Sequence, residues 1–436
     1  MTENPYTNRI KKTPPSEIRR LLKYADAPNW ISFGGGFPDE YTFFMKDKMI
    51  DLMISIQKKY SAPKYIQYAA STGCKCMVDA LREKYLPALN INVVEGGQDS
   101  IVIGAGAQQI LAGFGKMYYG KKTIISESPT YVGALPAFSQ NSLNVVGIKT
   151  DKDGMEPNAL DGKISEIGAD NVAFVYIIPN FQNPTGIQLI DERREKILDI
   201  CMKNNIPIVE DDPYPLMYFP GKSCPQSIKS KEQERIKGTD RKALVSYVGT
   251  SSKTFGGGFR VGWMVGPNEV AQEQASLIGI ECLFAPALSQ FIIGEYLLKN
   301  GYDGLVRDTD EGRQRYYSKK THMVKELKKE FGREVTFHEP DGGLFLWIRI
   351  PGIDTKKMLD FATGLHENPS KNAQKENSFD DYKIIFVPGE AFAPNNPKDF
   401  SEYMRITYAN SDFEEITKGV FRLRKLVEYY KKHMVK

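Results

Sequence analysis

Short apolar runs alternate with segments of helical periodicity between about residues 98 and 265. The runs are rich in Val, Ile and aromatic residues and are almost continuously apolar, which is typical of strands that are buried on both faces. They occupy residues 100–104, 122–128, 144–148, 171–179, 206–212, 243–250 and 259–266. Because such strands alternate with helices, we predict an α/β fold in which helices flank both faces of a mostly parallel sheet.

The pattern changes after about residue 270. A charged segment at 312–331 has apolar positions at helical spacing, and a final helix is predicted at 412–432. Three more strands are predicted, at residues 334–340, 344–350 and 383–389. This part indicates a smaller α+β domain. The predicted parts are an N-terminal segment that joins the small domain and the substrate pocket (1–44), a large domain (45–310) and a small C-terminal domain (311–436).

Two polar stretches interrupt this pattern of elements. Residues 221–242 and 367–381 are rich in Lys, Ser, Asn and other polar residues and show no apolar periodicity. We therefore predict that both are exposed loops or insertions.

The composition fits a globular protein with a large core, since 41% of the 436 residues are hydrophobic and 26% are charged. The 58 basic and 54 acidic residues are interspersed and give a net charge of only +4, so nucleic acid is not an expected partner. No apolar run approaches the roughly 20 residues that span a bilayer. The first residues also lack the apolar segment of a secretory signal. We expect a cytoplasmic protein without a membrane partner.

Cysteine and histidine residues do not indicate a metal site. The five cysteines are an odd number and are scattered, which favours reduced thiols. One residue separates Cys74 from Cys76, which is too few for the usual zinc spacing, and no second pair follows. The four histidines lack metal-ligand spacing as well. We predict no bound metal.

The first predicted strand runs into the sequence GAGAQQ at residues 104–109. Small residues at the start of a helix let backbone amides approach an anion, and a phosphate suits such a place. The same turn could belong to a dinucleotide oxidoreductase, because Glu127 ends the next strand about 20 residues on. The third glycine of that fingerprint is Gln109 here, and many such turns bind nothing.

Other predicted strands end in residues that suit a phosphorylated aromatic aldehyde. Tyr131 could stack on a flat heterocycle, and residues 179–186 form a stiff loop with two asparagines and two prolines. The carboxylates at 210–212 follow an apolar strand and need a cationic partner, such as a protonated pyridine nitrogen. Lys253 lies in a hydroxyl-rich, glycine-hinged turn with Arg260 close behind. Taken singly, each has a structural interpretation as well: Tyr131 could be a packing residue, residues 179–186 a plain turn, and Lys253 a solvated lysine.

Three motifs in order resolve this ambiguity, together with an arginine near the end of the chain. They are NFQNPTG at 180–186, DDPY at 211–214, SSKTFGGGFRVG at 251–262, and Arg405 in YMRI. The sequence resembles the class I/II aminotransferases, which are fold type I enzymes that depend on pyridoxal 5′-phosphate (PLP). The resemblance covers nearly the whole chain. Within that family the chain is most similar to the aromatic amino acid, 2-aminoadipate and kynurenine group, on residues 15–19, 31–38 and 340–347.

The resemblance implies a role for each residue that meets the reactive part of the cofactor. Lys253 would carry PLP as a Schiff base and then move the proton at the substrate Cα. Asp211 would pair with the pyridine nitrogen and keep it protonated. Tyr214 and Asn183 would bind the phenolic oxygen, and Tyr131 would stack on the ring.

The resemblance also implies the phosphate and substrate contacts. The phosphate would be bound by Gly106, Ala107, Gln108, Thr250, Ser252 and Arg260, and by Tyr68 from the other subunit, so a homodimer with shared sites is expected. Arg405 would bind the substrate α-carboxylate as a bidentate fork, next to Asn183. Arg19 would meet a distal carboxylate, and Gly36 would line the same pocket.

The expected activity is therefore transamination. The amino group of an aromatic amino acid, 2-aminoadipate or kynurenine would pass to a 2-oxo acid such as 2-oxoglutarate. Another reaction of the same fold is an alternative, either a C–S β-lyase or an aminocyclopropane carboxylate synthase type of elimination, because one cofactor cage serves all of them. A second alternative is a non-enzymatic protein that uses the same fold as a PLP-dependent sensor. A dinucleotide oxidoreductase would leave the lysine, asparagine and aspartate unexplained.

Overall fold

The computed structural model describes residues 20–21, 24, 27–39, 43–60, 64–118, 122–139, 143–364 and 382–433. The strands, numbered along the chain, are β1 (Ile31–Ser32), β2 (Asp99–Gly104), β3 (Thr123–Ser128), β4 (Asn144–Asp151), β5 (Gly154–Met155), β6 (Val172–Ile177), β7 (Ile208–Asp211), β8 (Val245–Thr250), β9 (Gly262–Pro267), β10 (Thr336–Phe337), β11 (Phe345–Arg349), β12 (Ile384–Ile385), β13 (Val387–Pro388) and β14 (Tyr403–Thr407).

The α-helices of the described residues are α1 (Met45–Lys59), α2 (Lys75–Ala80), α3 (Ala107–Met117), α4 (Ala134–Ser139), α5 (Pro157–Ile167), α6 (Asp191–Lys203), α7 (Ile228–Ile236), α8 (Asn268–Cys282), α9 (Ala287–Asp308), α10 (Asp310–Phe331), α11 (Thr355–Ala362) and α12 (Phe413–His433). The predicted helices at 312–331 and 412–432 correspond to α10 and α12. Short π-helical segments occur at Leu81–Tyr85 and Ser252–Gly256.

The large sheet has eight strands in the order β2-β9-β8-β7-β6-β3-β4-β5. From β4 to β8 the neighbouring strands in this order pair in parallel, while β9 is antiparallel to both β2 and β8. The predicted mostly parallel sheet is confirmed. Parallel strands bring their carboxyl ends to one edge of the sheet, where open α/β folds place ligands.

Helices cover both faces of this sheet because successive strand residues point in opposite directions. In β6, Phe174 and Tyr176 pack in a core with α3, α4 and α8, whereas Val175 and Ile177 pack in a second core with α5 and α6. All six residues of β6 are buried. Burial on both sides explains why the strand sequences are almost continuously apolar.

A second, smaller sheet contains the strands in the order β10-β11-β14-β13, and all of its pairs are antiparallel. Its core includes apolar residues of α10, α11 and α12. Near the start of the described chain, β1 pairs in parallel with β12, with Ile31 opposite Ile384. This pairing ties the N-terminal segment to the part of the chain that carries the small sheet. The boundaries at 44/45 and 310/311 stay predictions.

The prediction of an exposed loop at 221–242 is wrong for α7, which is largely buried. Ser227 caps this helix by accepting a hydrogen bond from the Ser230 amide. Lys229 is fully buried, and its Nζ lies 2.7 Å from Asp99 Oδ1 and 2.8 Å from Glu232 Oε2. Charged residues tolerate burial when they are paired, so a polar sequence here does not mean an exposed one. The predicted loop at 367–381 lies outside the described residues.

Three other observations concern the described part of the chain. The five cysteines are all free of disulfides. No cluster of three or more His, Cys, Asp or Glu side chains among these residues is arranged to hold a metal ion. None of the helices described combines the length and apolar character needed to cross a membrane.

Candidate active site

Most of the predicted site residues meet at the carboxyl-terminal edge of the parallel strands. Asp211 is the last residue of β7, and Lys253 follows β8 by three residues. Arg405 comes from β14 of the small sheet and reaches Asn183, which follows β6. Residues that are far apart in the sequence are therefore brought together by the sheet order and by the second sheet.

Lys253 lies in the π-helical segment that follows β8. Its Nζ donates a hydrogen bond to the Gly36 carbonyl at 2.8 Å and lies 5.9 Å from the ring centroid of Tyr214. Burial lowers the pKa of this amine to about 8; the positive charge of Arg405 acts in the same direction, and Asp211 opposes it. A lowered pKa increases the neutral fraction at physiological pH, and the neutral amine is the nucleophilic form.

Asp211 is a buried carboxylate with a neutral partner. The Tyr176 hydroxyl donates a hydrogen bond to its Oδ2 at 2.7 Å. Burial raises the pKa of Asp211 to about 7, although the Tyr176 hydroxyl acts against this rise. A buried carboxylate without a paired cation is costly, so this side chain is complementary to a cationic group such as a protonated pyridine nitrogen.

The two neighbouring carboxylates have partners within the fold. Asp212 accepts hydrogen bonds from Asn180 Nδ2 at 3.0 Å and from the Tyr247 hydroxyl at 3.3 Å. Glu210 accepts the first two backbone amides of α7 at 2.8 and 2.9 Å. The expectation of a cationic partner at this strand end therefore applies to Asp211.

Arg405 is fully buried and is held by both parts of the protein. Its Nη1 donates to Asn183 Oδ1 at 2.9 Å, and its Nη2 donates to the Gly34 carbonyl at 2.7 Å. The rings of Phe345 and Phe392 lie 4.2 and 5.2 Å from its guanidinium carbon. Its Nε makes no hydrogen bond within the described chain. Among the described residues this guanidinium has no carboxylate as a counter-charge, and it is complementary to the carboxylate of a ligand.

The start of α3 has the properties of a phosphate cradle. Gly106 has a φ of +83° and a ψ of 162°, a conformation that essentially only glycine adopts, and the Arg260 guanidinium lies directly beside it. Arg260 donates to the Ala105 carbonyl at 2.9 Å. The hydroxyls of Thr250 and Ser252 lie 2.9 Å apart just before Lys253, and Thr250 and Gly104 both pair with Gly262 of β9, which brings these two strand ends close together. Cationic, hydroxyl and backbone donors at one helix start fit a phosphate group.

Of the remaining residues predicted near the cofactor, Tyr131, Tyr214 and Asn183 lie near Arg405, whereas Ala107 and Gln108 lie at the start of α3. Tyr131 lies close enough to Asp211, Arg405 and Arg260 for their charges to affect its pKa, which burial raises. Burial also raises the pKa of Tyr214, whose hydroxyl interacts with Asn183. Tyr131, Tyr214 and Asn183 thus surround the same space. Ala107 is the first residue of α3, and the exposed Gln108 donates to the Gly133 carbonyl at 2.8 Å.

Two predicted residues lie at the border of this cluster or outside it, and a third is not among the described residues. A Cβ on Gly36 would lie 3.4 Å from the Phe345 ring and 3.8 Å from Arg405 Nη2, so Gly36 borders the site. Tyr68 is 75% exposed and its ring packs against Phe284. The described residues show no contact between Tyr68 and another predicted site residue. Arg19 lies outside the described residues.

Several site residues were missed from the sequence. Tyr176 is the only hydroxyl-bearing residue of β6, and its position in an apolar strand was an available signal. Gly34 and Phe345 lie within the segments 31–38 and 340–347, which resemble the aromatic amino acid, 2-aminoadipate and kynurenine group, but the sequence did not predict their contacts with Arg405. Nothing in the sequence pattern distinguished Phe392, which reaches Arg405 from a short 3₁₀ turn.

Comparisons with known proteins were consistent with this geometry. The family profile described as aminotransferase class I and II matches residues 39–423. Aromatic-amino-acid aminotransferase 1 of Thermococcus litoralis is 29% identical over 95% of this chain and 91% of its own. The crystal structure of Pyrococcus horikoshii kynurenine aminotransferase in complex with PMP has a similar fold, with a TM-score of 0.83 and 29% identity over 96% of this chain and 95% of the other. So does that of Thermus thermophilus α-aminoadipate aminotransferase with N-(5′-phosphopyridoxyl)-L-leucine, with a TM-score of 0.79 and 26% identity over 95% of each chain.

Proposed function

This chain belongs to the class I and II aminotransferase family, and we propose that it transfers the amino group of an aromatic amino acid, 2-aminoadipate or kynurenine to a 2-oxo acid such as 2-oxoglutarate. The family match and the relatives establish a PLP-dependent transaminase of fold type I. The observation that best supports the proposal is that the buried Lys253 lies near both Arg405 and Asp211, because a carboxylate, an aldehyde and a pyridine nitrogen would each find a complementary group.

When bound, PLP supplies an aldehyde that condenses with amines and a pyridine ring that accepts electrons from the substrate Cα. We propose that Lys253 holds it as a Schiff base and that Arg260, Thr250, Ser252 and the first amides of α3 bind its phosphate. Asp211 would hold a proton at the ring nitrogen of PLP. Tyr214 and Asn183 would donate to the phenolic oxygen of the cofactor, and Tyr131 would stack on its ring.

Lys253 also moves the proton at the substrate Cα. A pKa of about 8 places this amine close to the working pH, where a group can both accept and return a proton. Its Nζ donates to the Gly36 carbonyl, which keeps the amine next to Arg405 and within reach of the same substrate. One side chain therefore serves as nucleophile and as general base.

Arg405 orients the substrate. A bidentate contact with the α-carboxylate would fix the orientation of the substrate Cα, and so would select which of its bonds breaks. The bonds from Asn183 and Gly34 hold the guanidinium before the substrate arrives. The rings of Phe345 and Phe392 beside it provide apolar surface that suits the side chain of an aromatic or long-chain substrate.

A panel of amino donors tests the activity and the substrate group together. The protein is incubated with 2-oxoglutarate and Phe, Tyr, Trp, 2-aminoadipate, kynurenine, Leu or Asp, and glutamate formation is measured. We expect the highest kcat/KM among the aromatic donors, 2-aminoadipate and kynurenine. The absorbance change to the pyridoxamine form distinguishes a transaminase from a lyase. With a β-thioether amino acid such as cystathionine as the substrate, release of a thiol, pyruvate and ammonia without glutamate would instead establish C–S β-elimination.

Arg405→Ala is expected to lower kcat/KM for the preferred amino acid by about two orders of magnitude, because two charge-assisted hydrogen bonds are lost. The variant should also lose the preference of the native enzyme for phenylalanine over phenethylamine, which lacks the carboxylate. Arg349→Ala is the control, since that side chain is 43% exposed in the same small sheet and pairs with Glu402. A decrease of less than about tenfold in kcat/KM, roughly 1.4 kcal/mol, would mean that another residue binds the carboxylate.

We propose further that the enzyme is a homodimer. Large apolar side chains are exposed near Tyr68, at Ile66, Ile280 and Leu283. The Tyr68–Phe284 ring contact places them in one surface patch. Exposed apolar patches commonly mark protein interfaces, and a second copy of the chain would cover this one while bringing its own Tyr68 toward the phosphate.

Tyr68→Phe is expected to weaken PLP binding about tenfold, since a hydrogen bond to a charged phosphate is lost. Tyr317→Phe is the control because Tyr317 is a partly exposed tyrosine of α10. Hybrid dimers of one Tyr68→Phe subunit and one Lys253→Ala subunit provide the sharper measurement. The site with the intact Lys253 then receives an intact Tyr68 from the other subunit, and its PLP affinity should return to the native value. A hybrid with no recovered affinity would refute the shared site.

A further inference from the structure

Tyr176 is a buried tyrosine whose hydroxyl makes a single, specific contact. It lies in β6, fully buried, and its ring packs edge-on against Phe138 at a centroid distance of 5.0 Å. The hydroxyl donates to Asp211 Oδ2 at 2.7 Å. Since β6 and β7 pair in parallel with Tyr176 opposite Val209, the rigid sheet fixes the distance between donor and acceptor.

This bond determines how the Asp211 carboxylate is presented. Tyr176 is the one hydrogen-bond donor to the Asp211 side chain within the described part of the chain. The adjacent Asp212, by contrast, receives two side-chain donors. With Oδ2 occupied by Tyr176, the second oxygen of Asp211 stays available for an incoming donor. A carboxylate held at one oxygen has a fixed orientation at the other.

We propose that Tyr176 is a positioning residue for the pyridine-binding carboxylate, which it orients and whose affinity for a proton it reduces. The inference rests on the proposed function and deepens it. Asp211 shares one proton with the ring nitrogen of the cofactor. Because Tyr176 draws negative charge from Oδ2, the proton stays on nitrogen, and the ring keeps the positive charge that makes it an electron acceptor.

Loss of the Tyr176 hydroxyl would shift this shared proton. Asp211 would then accept it at the free oxygen: an O–H bond forms, the N–H bond breaks, and the pair keeps the same total charge. The other charged or titratable groups near Asp211 do not replace the lost donor. These groups are Glu127 in β3, Tyr131 after β3, Asp212 and Tyr214 after β7, and Lys253 after β8. Lys253 is engaged with the cofactor in the loaded enzyme.

The test uses Tyr176→Phe holoenzyme reconstituted with PLP that carries ¹⁵N in the pyridine ring. In the native enzyme we expect the ¹⁵N chemical shift of a protonated pyridine. In the variant the shift should move toward that of the neutral ring. The kcat of transamination should decrease about tenfold while KM changes less than about twofold, because the change affects the electron acceptor and not substrate binding.

Tyr247→Phe is the matched control. Tyr247 is an equally buried tyrosine on the neighbouring strand β8, and its hydroxyl donates to Asp212 instead of Asp211. This control should leave the ¹⁵N shift at the native value. Replacement of Tyr176 by 3-fluorotyrosine keeps the hydroxyl donor and should retain the native ¹⁵N shift and kcat. A change confined to Tyr176→Phe then belongs to the lost donor, whereas an equal change in the fluorotyrosine protein would assign it to altered packing and refute the proposal.

The outcomes separate this inference from the function on which it rests. If the native protein shows no PLP signal and no transamination, the proposed function fails. If the native protein is active and Tyr176→Phe retains both the native ¹⁵N shift and the native kcat, the positioning role alone is refuted. An equal ¹⁵N shift change in Tyr247→Phe would also refute it, since the effect would then belong to the polar core and not to the Asp211 contact.

Discussion

Lys253→Ala should lower the rate of transamination by roughly four orders of magnitude or more, because the nucleophile and the general base are lost together. The amine has a pKa of about 8 and lies beside both Arg405 and Asp211, and no other lysine among the described residues shares these neighbours. Single-turnover kinetics with the preferred amino acid measures the rate. PLP should still bind through its phosphate and ring contacts, but without the absorbance band of a Schiff base.

Covalent labelling checks the same assignment independently of activity. Borohydride reduction of the native holoenzyme, followed by peptide mass mapping, should place a pyridoxyl group on Lys253. Lys152→Ala is the control, because that lysine is 78% exposed on the surface, and it should retain the label and the rate. Added methylamine should restore part of the proton transfer in Lys253→Ala. A pyridoxyl label on a different lysine of the native protein would overturn the assignment.

Asp211→Asn is expected to reduce kcat by about three orders of magnitude, equivalent to about 4 kcal/mol of barrier height. The amide keeps the shape of the side chain and loses the negative charge that holds a proton on the ring nitrogen. A neutral ring accepts electrons poorly. The rate at saturating substrate is the quantity to measure, together with the dissociation constant of PLP.

A cofactor with a permanent charge separates this electrostatic role from a structural one. Pyridoxal phosphate methylated at the ring nitrogen is cationic without a proton, so it should restore part of the activity of Asp211→Asn. Asp212→Asn is the neighbouring control: its carboxylate accepts bonds from Asn180 and Tyr247, and its loss should lower stability instead. If the methylated cofactor rescued neither variant, or rescued both equally, the charge of Asp211 would not be the cause.

Residues from both sheets meet at the candidate active site. Lys253 and Asp211 come from the large sheet, whereas Arg405 comes from β14 of the small one. Asn183 and Gly34, which hold Arg405, lie after β6 and in the N-terminal segment. A substrate bound to Arg405 and to the cofactor would therefore contact residues from both sheets, and a small shift between the sheets would misalign it and lower kcat.

Much of the fold and of the site was predictable from local patterns. A strand such as β6 is apolar at every position because both its faces are covered, and this property is visible in the sequence without any partner. The spacing of NFQNPTG, DDPY and the Lys253 motif was equally informative, since each motif ends a strand and parallel strands end at one edge. These signals need only neighbouring residues.

The sequence by itself determined the fold class, the order of the elements and the identity of most residues at the strand ends. Only the tertiary structure decided that the polar segment 228–236 is a buried helix, because Lys229 is paired with Asp99, 130 residues away. It also decided that Tyr176 reaches Asp211 and that Arg405 reaches Asn183, 35 and 222 residues apart. The cost of burying a charge depends on the partner that folding supplies, and local sequence does not contain that partner.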